Sequence, residues 1–108
     1  MNGFSTRVRC WNKKTKTMYP SVPIFKTDFF HCENIDDLVL MFGTGLRDRN
    51  GNEIFEGDVI KFDDYKITYY VKWYDADASW RFHNDKKGGM GMAGCNDIAE
   101  VIGHIYEV

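Results

Sequence analysis

Hydrophobic and polar residues alternate along much of this chain, most regularly over residues 65–74. One face of that segment would carry Tyr65, Ile67, Tyr69, Val71 and Trp73. Because neighbouring side chains of a β-strand point to opposite faces of the sheet, this period of two predicts a strand with the apolar set in the core. The turn-forming residues 75–79 and the returning residues 80–83 predict a hairpin partner, with Trp80 and Phe82 facing one way.

Shorter elements are predicted towards the N-terminus. Residues 6–11 alternate as a strand, with Val8 and Cys10 on one face and Arg7, Arg9 and Trp11 on the other. A polar turn over residues 12–17 follows. Pro20 and Pro23 then predict an edge strand or an irregular segment, because proline has no N–H to donate to a strand ladder. The unbroken apolar run 38–42 is typical of a buried strand.

The C-terminal part predicts a loop over residues 84–94, one helical turn over 96–99 and a closing strand over 100–108. Asn34 is positioned to cap another helical turn. Taken together, the pattern predicts a mostly β protein: a small bent sheet or barrel with at most one or two short helical turns.

The most turn-rich stretch is residues 44–62, which read TGLRDRNGNEIFEGDVIKF. Asn50 and Gly51 predict a type I′ hairpin turn, because both residue types tolerate positive φ. Gly57 is expected in a left-handed conformation that breaks the next strand, and Asp58 is expected to accept a local backbone N–H. Two sharp turns so close together favour a strongly bent sheet.

This stretch resembles the core signature of the YopX family of phage and prophage proteins. The segment 8–19 is similar to the opening hairpin of that family, and 100–107 is similar to its closing strand. The resemblance implies a compact β-rich fold containing an SH3-like barrel, a phage or prophage origin, and one YopX-like domain over residues 1–108. It implies no catalytic residues.

Size and composition limit the number of domains and the cellular location that can be expected. A chain of 108 residues is expected to form one domain with a modest core. It contains no apolar run near the length of a membrane span, and its opening residues lack the apolar region of a signal peptide. We therefore expect it in the cytoplasm of an infected or lysogenic bacterial host, without membrane contact.

Cysteine spacing predicts reduced thiols and no metal. Cys10, Cys32 and Cys95 are widely separated, and an odd number cannot form a closed set of disulfides within one chain. Structural zinc needs four ligands, usually in closely spaced pairs, whereas His31-Cys32 is the one close pair here. We expect neither a metal nor another cofactor.

Charge is distributed unevenly although the net charge is only −2. Residues 1–27 hold six basic residues and no acid, which leaves eight of the 14 bases against all 16 acids, a balance of −8, in the remainder. One hypothesis is single-stranded or non-specific nucleic-acid binding through a basic hairpin carrying Arg7, Arg9, Trp11, Lys13, Lys14 and Lys16. Repulsion by the acidic remainder counts against it, and the same lysines could simply protect a sheet edge or pair with the rest of the molecule.

Recognition of a protein is the favoured hypothesis. Met90 and Met92 lie in the glycine-rich segment 88–94, which is either a simple mobile loop or a contact surface, since flexible apolar side chains on a loop adapt to partner surfaces. With Trp80 they are the candidate partner-binding residues, and the partner would be a host protein, a phage protein or a second copy. A third hypothesis is an enzyme using the acids near the central stretch: Asp48, Glu53, Glu56, Asp58, Asp63 and Asp64. Because turn formation accounts for those acids, we predict that the protein is not an enzyme.

Overall fold

The computed structural model describes residues 7–23, 35–62, 67–92 and 94–107. These residues form nine strands: β1 Arg7–Asn12, β2 Thr17–Pro23, β3 Leu38–Arg47, β4 Glu53–Phe55, β5 Asp58–Phe62, β6 Thr68–Tyr74, β7 Ser79–Asn84, β8 Gly88–Gly91 and β9 Ala99–His104. Two short 3-10 turns, Ile35–Asp37 and Asn96–Ile98, accompany them. The prediction of a mostly β protein with one or two helical turns is confirmed. Asn34, the suggested cap, lies outside the described residues.

The strands form two antiparallel sheets. One has the order β2-β1-β3-β4 and the other the order β8-β7-β6-β5-β9. Over the described ranges the two sheets do not close into a barrel, so the structure fits a small bent-sheet fold rather than a closed SH3-like barrel. β4 and β5 follow each other in sequence but belong to different sheets, and the turn between them is the bend of the molecule.

Gly57 makes that bend possible. Its φ is +84°, as the sequence predicts, and a Cβ there would lie 3.0 Å from Cε of Met41. Its N–H donates to the carbonyl oxygen of Val71 at 2.9 Å, and its own carbonyl accepts the N–H of Ile105 at 2.9 Å. The chain therefore turns in the narrow space between β6 and the C-terminal segment.

The turn between β3 and β4 differs from the prediction. Gly51 has φ +84°, but Asn50 does not have positive φ, so the turn is not type I′. The Gly51 N–H instead donates to the Asp48 carbonyl at 3.0 Å. The Asp48 carboxylate also accepts the N–H groups of Asn50 and Asn52, each at 2.9 Å. A side-chain acceptor therefore organises a longer loop, which removes the need for positive φ at Asn50.

The larger core cluster contains the buried residues Ile54, Ile60, Phe62, Val71, Phe82, Met92 and Ala99. The apolar face predicted over residues 65–73 is buried at Val71 and half-buried at Tyr69, whereas Ile67 and Trp73 are each 37% exposed. Tyr65 lies outside the described residues. The run 38–42 is part of a strand, as predicted, but its predicted burial is wrong: Met41 is buried, whereas Leu40 is 38% and Phe42 40% exposed. Strand alternation places these neighbours on opposite faces of β3.

The predicted loop over 84–94 is wrong over Gly88–Gly91, which form β8 and pair with β7. Met90 lies opposite Phe82 in that pairing. Glycine has little propensity for strands, so the sequence does not signal β8. Packing requires glycine at position 89, however, because a Cβ there would lie 2.3 Å from the hydroxyl oxygen of Tyr74.

Candidate partner-binding site

An apolar cavity lies between the inner face of the five-stranded sheet and the connection from β8 to β9. Its volume is about 310 Å³, and it is lined by Phe62, Ile67, Tyr69, Met90, Cys95 and Ile98. The sheet order explains its position, because β8 and β9 are opposite edges and the chain between them must cross the sheet. The carbonyl of Met92 accepts the N–H groups of Cys95 and Asn96, both at 3.0 Å, and so starts the turn that carries Ile98.

The rim of the cavity is apolar and open to solvent. Ile98 is 51% and Ile67 37% exposed. Sequence reasoning missed this site, because the cavity arises from the crossing of a connection under a sheet rather than from a local motif. The available signal was Ile98 itself, an isolated large apolar residue directly after Asn96 and Asp97.

A second, more polar groove of about 460 Å³ shares Ile67 and Tyr69 with the cavity. His83 lies in its wall between two partners: Nδ1 faces the hydroxyl of Tyr74, and Nε2 lies 3.2 Å from Oδ1 of Asp85. The Tyr70 hydroxyl also donates to Asp85, at 3.4 Å. Burial, and then the Asp85 carboxylate, raise the pKa of Tyr70, so this hydroxyl remains a donor. The groove therefore offers polar groups beside an apolar cavity.

The three predicted partner-binding residues occupy different environments. Met90 is half-buried and lines the cavity. Trp80 is half-buried and packs edge-on against Trp73, with 5.1 Å between ring centroids, but it does not line the cavity. Met92 is only 2% exposed and belongs to the core, so its predicted place on an accessible loop is wrong. Because β8 pairs with β7, Met92, which closely follows β8, packs into the core.

The predicted aromatic and cationic face of the N-terminal hairpin is largely covered. Arg9 forms an ion pair with Asp58, and its guanidinium carbon lies 4.7 Å from the ring centroid of Phe55. Trp11 is 7% exposed, and its ring centroid is 4.6 Å from that of His104. Arg9 and Trp11 do share a face, as predicted, but β4 and the C-terminal segment pack on it.

Four other basic residues of the hairpin remain at the surface. Lys13, Lys14 and Lys16 are exposed in the turn between β1 and β2. Arg7 is exposed and donates to the carbonyl of Ser21 at 2.7 Å. Trp11, the aromatic residue that the nucleic-acid hypothesis places among these cations, is buried and cannot stack on a base in this arrangement.

Three acids of the central stretch, Asp48, Glu56 and Asp58, accept backbone N–H groups, whereas Oε2 of Glu53 is buried without a hydrogen-bond partner among the described residues. Asp48 is 5% and Asp58 1% exposed, and both accept backbone N–H groups. Burial raises the pKa of Asp58, against the opposing effect of Arg9 and the Phe55 N–H. Burial also raises the pKa of Glu56, against the opposing effect of the Phe42 N–H. Asp63 and Asp64 lie outside the described residues.

No group of three or more histidine, cysteine or acidic residues in the described part of the chain is arranged to hold a metal ion. Cys10 is a buried thiol and Cys95 a half-buried one in the cavity wall. His31 and Cys32 lie outside the described residues. Within the same ranges, no helix has the length and apolar character needed to cross a membrane.

The two bent antiparallel sheets define a small all-β protein built around the turn at Gly57. The chain belongs to the YopX family: the model for YopX protein matches residues 10–108. The crystal structure of protein EF1440 from Enterococcus faecalis is similar, with a TM-score of 0.60 and 22% identity over 96% of this chain and 95% of that one. At this identity the likeness shows the fold alone. No curated protein matches the chain.

Proposed function

We propose that this chain is a small non-enzymatic binding module that recognises a protein partner through the apolar cavity. The observation that carries the proposal is the exposed rim formed by Ile98 and Ile67 around a cavity lined by Met90. Protein interfaces bury aromatic and methionine side chains at their centre, and an anchor residue in a pocket supplies much of the affinity. An apolar side chain of the partner would fill this cavity.

The origin of the protein and its site of action are part of the same proposal. The resemblance to phage and prophage proteins supports an origin in a phage or prophage and a site of action in the cytoplasm of the bacterial host, on a host or phage protein. A non-enzymatic role is supported by the structural partners of two of the central acids. Asp48 organises the turn between β3 and β4, and Asp58 holds Arg9 and the Phe55 N–H.

The test compares two isoleucines of similar exposure. Ile98 is 51% exposed on the rim, and Ile102 is 49% exposed on β9 and does not line the cavity. A partner is first isolated from bacterial lysate with the tagged protein and then purified. Its affinity for the unaltered chain, for Ile98→Asp and for Ile102→Asp is measured by calorimetry.

We expect Ile98→Asp to weaken binding by about tenfold or more, as loss of an interface anchor does, and Ile102→Asp to change it by less than about twofold. Met90→Ser should act in the same direction as Ile98→Asp. Met92 is left unchanged because its replacement would damage the core. Melting temperatures establish that every variant is folded. Equal affinities of the two aspartate variants would refute the cavity as the binding site.

A further inference from the structure

The strand β8 is an open sheet edge. Among the described residues it hydrogen-bonds only to β7. The other edges are protected: β2 contains Pro20 and Pro23, and β4 has only three residues. The edge of β9 is covered by the turn between β3 and β4, because the Arg49 N–H donates to the Ala99 carbonyl at 2.8 Å and the Val101 N–H donates to Asp48 at 3.0 Å.

We propose that β8 binds an extended segment of the protein partner as an additional strand of the five-stranded sheet. The segment would place an apolar side chain beside Met90 at the cavity and acidic residues beside Lys86 and Lys87. This inference rests on the proposed function and specifies how the partner is held. An unpaired strand edge offers backbone N–H and C=O groups at a spacing that a further strand satisfies.

The geometry of β8 suits an added strand. Met90 is the one residue of Gly88–Gly91 with a side chain, and that side chain lines the cavity. A neighbouring strand would lie about 4.8 Å away, so every second side chain would stand next to Met90 on the inner face. A Cβ at Gly91 would meet no described atom within 4 Å, so the face of β8 opposite Met90 is open at that position.

Charge indicates which kind of segment would bind. Lys86 and Lys87 are exposed and immediately precede β8, whereas the nearby Asp85 is engaged by His83 and Tyr70. A second copy of β8 would be a poor complement, because residues 88–94 read GGMGMAG and contain no acid to place against the lysines. An acidic and apolar segment of another protein satisfies both the charge and the cavity.

The experiment uses selected peptides as probes. A displayed library of random peptides, about twelve residues long, is selected against the folded full chain, and enriched peptides are synthesised. We expect them to combine a large apolar residue with Asp or Glu. In the complex, amide exchange over Gly88–Gly91 should slow by about tenfold or more, because newly bonded N–H groups are protected.

A matched pair of charge reversals tests the lysines. Lys86→Glu with Lys87→Glu should weaken peptide binding by about tenfold, and exchanging the acids of the peptide for lysine should restore it. Lys13→Glu with Lys14→Glu makes the same change in the turn between β1 and β2 and should leave affinity unchanged. Equal effects of the two double variants would overturn the proposal, as would failure to enrich any peptide.

The outcomes separate this inference from the proposed function. If Ile98→Asp abolishes partner binding while exchange over Gly88–Gly91 is unaffected by the partner, the cavity binds the partner and strand addition is wrong. If amides of β8 become protected at high protein concentration without any peptide, the occupant is a second copy and the assignment to an acidic partner segment is wrong. Protection by peptide with no effect of Ile98→Asp would retain strand addition and reject the cavity.

Discussion

Asp58 connects the two sheets through a single side chain. It begins β5, accepts the N–H of Phe55 at 2.8 Å, and pairs with Arg9 of β1. The sequence predicts the local bond, because aspartate after glycine is a typical turn acceptor. It does not predict Arg9, which lies 49 residues away, because that contact depends on how the two sheets meet. Removing either partner would leave a buried charge uncompensated, which is more damaging than the loss of a surface ion pair.

Two glycines with the same backbone angle separate conformational strain from packing. Gly51 and Gly57 both have φ +84°, but a Cβ at Gly51 would meet nothing within 4 Å, whereas one at Gly57 would meet Met41. We expect Gly51→Val to lower the unfolding free energy by about 1–3 kcal/mol through strain alone. Gly57→Val should lose about 1–3 kcal/mol more through overpacking. Urea denaturation measures both, and equal losses would contradict the packing of the bend.

Gly89 is not a neutral position for such a comparison, although a loop prediction would make it one. It lies in β8, and a Cβ there would overlap the Tyr74 hydroxyl. Its replacement by valine should therefore also destabilise the protein. The difference between a loop glycine and a strand glycine comes from a side chain on β6, and the sequence around Gly89 does not contain that information.

His104 should make stability depend on pH. Desolvation lowers its pKa from the ordinary value of 6.5, nearby Arg9 acts in the same direction, and Glu107 opposes the shift. The unfolded chain therefore binds a proton at this site more readily than the folded one, and stability falls as pH decreases below 6.5. We expect His104→Gln to lose less unfolding free energy than the unaltered chain between about pH 7.5 and about pH 5.5.

Glu107→Gln provides the control in the opposite direction. The glutamine oxygen can still accept the backbone N–H of His104, which Glu107 accepts at 2.8 Å, but the charge that raises the pKa of His104 is removed. The loss of stability on acidification should therefore be larger than in the unaltered chain. Denaturation curves at both pH values decide the matter, and parallel pH profiles for all three proteins would exclude His104 as the source.

Among the strands, those with a regular alternation of apolar and polar residues could be predicted from the sequence, and those without it could not. The hairpin of β6 and β7 follows from period-two alternation around a polar turn and is confirmed. The strand β8 is nearly all glycine, and only its pairing with β7 makes it a strand. The cavity lies under the connection that follows β8, so a strand absent from the prediction also hid the candidate site.

Asp48 connects the turn between β3 and β4 to strand β9. Its Oδ1 accepts two N–H groups of its own turn, and its Oδ2 accepts the Val101 N–H of β9 at 3.0 Å. Asp48→Asn keeps the shape but replaces one acceptor with a donor, so one N–H loses its partner. We expect a loss of about 1–3 kcal/mol and faster amide exchange at Val101.

Asp97→Ala is the comparison, because Asp97 is an exposed acid in the adjacent 3-10 turn. Its effect on stability should stay within about 0.5 kcal/mol, as for most surface positions. If Asp48→Asn left the exchange rate of Val101 unchanged, the Asp48 carboxylate would not be what protects that amide, and pairing with β5 and the Arg49–Ala99 bond would account for the position of β9.

For the molecule as a whole, the sequence predicts the strands better than it predicts whether they close into a barrel. Alternation and turns indicate many short strands, but closing them into a barrel depends on which edges pair, and local patterns do not determine that. The described strands pair as two sheets, with β4 and β5 on either side of the bend. A single domain over residues 1–108 stays a prediction, which limited proteolysis can check.

Charge segregation has an internal use that reduces the case for nucleic-acid binding. The basic N-terminal segment contributes Arg9 to an ion pair with Asp58 of the acidic remainder, and Trp11 is packed against Met41 and Phe55. Two of the six residues proposed for a nucleic-acid face are therefore packed or paired against other elements, and a third, Arg7, donates to Ser21 of the neighbouring strand. Lys13, Lys14 and Lys16 remain exposed in one turn.

The charge of these three lysines predicts how nucleic-acid binding should depend on salt concentration. Each phosphate neutralised on a single strand contributes about −0.7 to the slope of log K against log salt, so three lysines give a slope of about −2. We expect weak binding to single-stranded DNA and RNA at low salt, with this shallow slope, and none at physiological salt. Fluorescence anisotropy with labelled oligonucleotides measures it, and Lys13→Ala with Lys14→Ala should remove most of the low-salt binding. Submicromolar affinity at physiological salt, abolished by the same double variant, would instead establish the hairpin as a nucleic-acid site, because three lysines in one turn, with Trp11 buried, cannot supply that affinity through charge alone.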